Sequence, residues 1–166
     1  MKNTIFYTLF IFALLQSACD PCSRTNCQNG GECQNGSCYC EPGYEGNSCE
    51  TEWSAKFIKG FSSVATPCKP SYSSDIRRIG PQMIEIHNLG GFAGMTGCAP
   101  SGYWVKGKLI SNTYFKIEDT FCTDFAIQGD GLFNQTTNIL TIHYHCDFQD
   151  ATGSPKNEDC EVTYQY

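Results

Sequence analysis

Residues 19–49 read CDPCSRTNCQNGGECQNGSCYCEPGYEGNSC and hold seven of the chain's twelve cysteines. Six of the seven, Cys22, Cys27, Cys33, Cys38, Cys40 and Cys49, are separated by 4, 5, 4, 1 and 8 residues. A segment of about thirty residues cannot bury a sufficient apolar core, so covalent links must stand in for one. Cysteines at this density behind an apolar leader read as disulfides formed in an oxidising compartment. A zinc protein would want a second Cys-x-x-Cys block, and Cys19-Asp20-Pro21-Cys22 has no such companion.

The surrounding residues sharpen the reading. Asn29-Gly30-Gly31 precedes the third of the six cysteines, Cys38-Tyr39-Cys40 follows, and Pro42-Gly43-Tyr44-Glu45-Gly46 leads to the last. Residues 22–49 thereby resemble an epidermal-growth-factor-like (EGF-like) domain. Six cysteines allow fifteen pairings, and the resemblance implies Cys22–Cys33, Cys27–Cys38 and Cys40–Cys49. Calcium-binding members of that family carry an acidic and amide stretch before the first cysteine and an aromatic after the third. Only Asp20-Pro21 stands before Cys22, and Gln34-Asn35-Gly36-Ser37 has no aromatic, so calcium is not expected. Glu32 occupies the place of the Ser or Thr used for O-fucose. The expected role is a disulfide spacer, with receptor binding as the alternative.

Upstream, residues 1–18 set Lys2 before an apolar run, Ile5 to Leu15, and close on Gln16-Ser17-Ala18. One positive charge, an apolar core of about eleven residues and small residues at the end make a secretory signal. The run falls short of the roughly 20 residues that span a bilayer. Leu15-Gln16-Ser17-Ala18-Cys19 resembles the lipobox of bacterial lipoproteins, except that Gln16 stands where the motif has Leu. The resemblance implies a lipidated Cys19, with residues 19–21 as lipid anchor and short tether. Acyl chains, at about 0.8 kcal/mol per buried methylene, would hold the chain at a membrane. The alternative is a soluble secreted protein cut near Ser17 or Ala18.

Downstream, residues 50–55 read as a linker and 56–166 as an antiparallel β domain. Cys160, Val162, Tyr164 and Tyr166 share one face of a two-residue alternation, as do Leu140, Ile142, Tyr144 and Cys146. Tyr103, Val105 and Leu109 alternate with Trp104, Lys106 and Lys108. Strands are predicted at 56–63, 71–78, 82–88, 103–110, 113–119, 124–133, 138–146 and 160–166. Turn signals separate them, among them Gly80-Pro81, Pro100-Ser101-Gly102 and Ser111-Asn112. The fold class is therefore all-β: a small disulfide-rich module followed by an up-and-down meander that closes as a small barrel or folds as a sandwich. The succession of leader, lipobox-like cysteine, EGF-like module and meander resembles small surface lipoproteins of Gram-negative bacteria. Their β domain is loosely similar to lipocalins in strand order.

Five cysteines remain: Cys68, Cys98, Cys122, Cys146 and Cys160. If Cys19 carries lipid, one of the five stays free. Cys68 with Cys160 would tie the first strand to the last, and Cys98 with Cys122 would flank the 103–119 hairpin. That leaves Cys146 as a buried thiol; the alternative joins Cys146 to Cys160.

The net charge of −6, with no basic run beyond Arg77-Arg78, argues against phosphate-driven nucleic-acid binding. His143 and His145 point to one side of a strand and, with His87 or Asp147, are weak candidates to bind zinc; solvent-facing histidines are the expected reading, with no metal or cofactor. No nucleophile motif, metalloprotease motif or phosphate-cradling loop occurs, and no catalysis is expected. Among the aromatics, Tyr103, Trp104, Phe115 and Phe125 are candidates to line a mouth or groove if they are not core. The expected function is an exported, membrane-anchored lipoprotein of the outer membrane or cell surface. Its EGF-like spacer would present a β-rich head to a protein, a glycan or a small apolar ligand. The alternative is a secreted protein acting through the EGF-like module.

Overall fold

Alternating apolar residues from Val64 to Tyr164 leave one face to hide, and in the computed structural model a sheet curls onto itself to hide it. It describes residues 20–64, 66, 68–69, 71–92, 103–122, 125–150 and 152–166, without the side chains of 119–122. The leader, Cys19, Cys98 and the Cys122 thiol lie outside the described residues, as does most of the glycine-rich loop after Gly90. Among the described residues no helix is long and apolar enough to cross a membrane.

Two compact units divide the chain. One runs to Glu41 and includes Gly46–Glu50; the other holds Pro42–Glu45 and Thr51–Tyr166. In the first unit, strands β1 (Glu32–Gln34) and β2 (Ser37–Tyr39) form a hairpin. Its two turn residues, Asn35 and Gly36, both have positive φ, as a tight primed turn requires. Cys22 bonds Cys33, Cys27 bonds Cys38 and Cys40 bonds Cys49. Gly31 sits where a Cβ would come 2.7 Å from the Cys49 sulfur, so a side chain there would push the disulfide away. The Asn29 amide donates to the Cys49 carbonyl at 2.7 Å. Of this unit's described residues only Cys49 is buried. Covalent rings and a few backbone bonds hold it.

In the second unit, β3 (Tyr44–Glu45) pairs with β4 (Thr51–Glu52), and a short 3-10 helix, Trp53–Phe57, follows. The stretch read from sequence as a linker thus carries ordered structure, and the first long strand starts later than predicted. Phe57, wholly buried, packs edge-on against Phe115 and Phe133 at 5.5 and 5.7 Å. Eight strands then succeed one another: β5 (Lys59–Val64), β6 (Tyr72–Gly80), β7 (Met83–His87), β8 (Trp104–Leu109), β9 (Tyr114–Cys122), β10 (Phe125–Asn134), β11 (Ile139–Gln149) and β12 (Pro155–Gln165). Each is antiparallel to its neighbours in chain order, in one curled half-barrel sheet. A two-sheet sandwich is excluded by that single ladder.

Inward positions carry the core: Ile84, Ile86, Val105, Phe115, Ile117, Ile127, Leu140, Ile142, Tyr164 and their neighbours. Burying each such side chain contributes about 1.5–3 kcal/mol. Phe115 takes its place because two inward positions have no side chain: a Cβ at Gly131 would strike its ring, and one at Gly107 would lie 3.0 Å from it. A buried polar bridge crosses the interior: Ser74 donates to the His87 carbonyl at 2.8 Å and accepts from the Tyr164 hydroxyl at 2.8 Å.

The edge strands β5 and β12 share no ladder among the described residues; side chains clasp them instead. Lys59 Nζ donates to the Gln165 carbonyl at 2.6 Å and lies over the Tyr166 ring, while the Tyr166 hydroxyl donates to the Phe57 carbonyl at 2.6 Å. The Cys68–Cys160 disulfide fastens the loop after β5 to β12.

Candidate functional site

Outward positions of the last four strands are polar, and the register sets them in two rows. Lys116, Asp130, His143 and Glu161 stand side by side across β9 to β12. One pleat away stand Glu118, Gln128, His145 and Asp159. These rows line a shallow concavity of about 730 Å³. Gly129 of β10 also lines it, and its missing side chain lets the β11 backbone at His143 approach closer than a Cβ would permit.

Both histidines are engaged by carboxylates of β12. His143 Nε2 lies 2.7 Å from Glu161, and His145 Nδ1 lies 2.7 Å from Asp159. The second nitrogen of His145, Nε2, is 3.4 Å from Asp147, the next outward residue of its own strand. The Asp159 hydrogen bond raises the His145 pKa against the opposing desolvation, and Asp147 adds to the rise. Four carboxylates and one lysine line the concavity, so its field favours cations. Sequence alternation placed the two histidines on one face. It could not pair them with Asp159 and Glu161, because that depends on register across a loop.

The four aromatic candidates do not converge. Tyr103, Phe115 and Phe125 are each less than 5% exposed and belong to the packed interior. The Tyr103 hydroxyl donates to the Leu89 carbonyl, and its ring meets Phe125 edge-on at 5.3 Å. Trp104 alone faces outward, on β8, with the Arg77 guanidinium 3.7 Å from its ring centre and His87 beside it. Arg77 also donates twice to Glu85, through Nε at 2.9 Å and Nη2 at 2.7 Å. Nearby, burial raises the Asp75 carboxyl above its ordinary range despite His87 and Arg77.

Inside the sheet Cys146 is fully buried and unpaired, and burial pushes its thiol up. Tyr72 and Tyr144 are buried as well, and burial raises Tyr72 to about 12. Cys68, Glu158 and Cys160 also come together, but the two sulfurs are bonded to each other and are spent as metal ligands. Comparison with known proteins finds no matching family model, no matching curated protein and no matching solved structure.

Proposed function

We propose that the chain is an exported, membrane-anchored lipoprotein in which an EGF-like module carries a β-rich binding head. The observation that carries this reading is the set of three short disulfides, closing 11, 11 and 9 residues, directly after Cys19. That pattern needs an oxidising compartment and is compatible with the EGF-like assignment. Cysteine parity adds support. With Cys68 bonded to Cys160 and Cys146 buried and free, Cys19, Cys98 and Cys122 remain, an odd number that leaves one of the three without a thiol partner. A lipid on Cys19 accounts for the remainder. The polar concavity on β9 to β12 is the recognition surface of the head, since the inward side chains of the described strands belong to the packed core.

Mass spectrometry of the natural mature protein tests the anchor. An acylated Cys19 at the amino end is the expected result. An unmodified amine at or near that position would replace the reading with a soluble secreted protein working through the EGF-like module.

A further inference from the structure

The outer face of β11 carries His143, His145 and Asp147 in alternation, and His145 is the best held of the three. Its Nδ1 is fixed by Asp159 at 2.7 Å, which turns Nε2 toward Asp147 Oδ1 at 3.4 Å. Two ligands of a tetrahedral ion with bonds of about 2.0–2.1 Å stand about 3.3–3.4 Å apart. The gap between Nε2 and Oδ1 therefore matches one edge of such a tetrahedron. A carboxylate behind a ligating imidazole is also what fixes the tautomer and raises the basicity of the ring. The neighbouring carboxylates Glu118, Asp130 and Glu161 outnumber Lys116, so a dication approaching from solvent is attracted.

We propose that His145 Nε2 and Asp147 form the protein side of a site for a divalent transition-metal ion of the zinc type, with Asp159 as the positioning residue and water completing the shell. An imidazole donor selects such ions over magnesium and calcium, which take oxygen ligands. His143 is not a ligand in this arrangement: its Nε2 is committed to Glu161. The proposal gives a ligand class to the concavity and rests on its being a recognition surface, not on the lipid anchor or the EGF-like module.

The test is calorimetric titration of zinc chloride into the full mature chain, with magnesium chloride as comparison, alongside nitrogen-15 histidine spectra. Saturable binding of one zinc, no heat from magnesium, and a metal-induced shift at His145 Nε2 are expected. H145Q and D147N should each weaken binding tenfold or more. D159N should weaken it by about tenfold, within the range seen for carboxylates behind a ligating His, and redistribute the His145 tautomers; D159E should restore both. H143Q should leave affinity within about twofold, as a residue outside the shell does. All four positions face solvent, so the variants should keep the wild-type melting midpoint, and one that melts earlier is replaced by Ala at the same position. Absence of saturable zinc binding overturns the proposal, and so does H143Q abolishing it while D147N does not. An unmodified amine in the mass measurement would remove the anchor and leave this titration as it stands.

Discussion

The two units reach stability by opposite routes. Among the described residues the first has three disulfides and one buried residue; the second has a core of about two dozen side chains and one disulfide. A short segment exposes too much of its surface for apolar burial to offset chain entropy, so cross-links that restrict the unfolded chain must supply the difference. The longer sheet buries enough to stand on packing, and its disulfide serves as a clasp at the seam. The contrast predicts which perturbation each unit will tolerate.

The largest effect is expected from reduction. In the chain-entropy model each loop of about ten residues is worth roughly 2–3 kcal/mol, and the first unit has little else. Treating the protein with a phosphine reductant should collapse the amide signals of residues 20–41 to random-coil positions while those of β10 and β11 stay dispersed. Persistence of native signals in residues 20–41 would break the comparison. The converse test is Phe115→Ala, which empties the space framed by Gly107 and Gly131. Urea unfolding should register a loss of about 3–5 kcal/mol in the second unit, with the amide signals of the first unchanged.

A smaller effect separates clasp from core. Replacing Cys68 and Cys160 together by Ala should lower the second unit's stability by about 2–4 kcal/mol yet leave the β6 to β11 ladder intact by amide exchange. Loss of the whole sheet would mean that the disulfide, and not the packing, organises it.

The smallest effect depends on pH. Cys146 is held protonated by burial, its folded pKa raised above the value of about 8.5 that the unfolded thiol has. A raised folded pKa stabilises below the unfolded value and loses that contribution as pH rises through the window between the two. The second unit should therefore weaken above pH about 8.5, by at most about 1.4 kcal/mol per pH unit from this group. The buried tyrosines, also raised by burial, add their own slope only above about pH 10. Cys146→Ala should postpone the onset to that second range, read from urea midpoints at pH 7, 9 and 10.5.

Much of this architecture was legible in the chain. All eight long strands of the sheet appear where alternation marked them, and alternation also separated inward Tyr103 from outward Trp104. What escaped has a physical reason in each case. Residues 155–159 are polar and show no alternation, so β12 was predicted to start at 160; pairing with β11 extends it back to Pro155. The Trp53–Phe57 turn has no helical periodicity and exists because Phe57 packs against Phe115 and Phe133. The candidate site was half visible. His143 and His145 share a face by period alone, but the carboxylates that hold them come from another strand, and only register brings Asp159 and Glu161 opposite them.

The Cys68–Cys160 link also imposes a timetable. A polypeptide born from its amino end presents its three small rings complete while more than half its length is still unmade, so those bonds can form early and locally. Cys68 must wait for a partner 92 positions later, in the company of thiols that are still reactive. Oxidation that runs faster than synthesis would trap it with the wrong mate, so the yield of correctly joined protein should depend on a disulfide-shuffling catalyst far more for this one bond than for the other three.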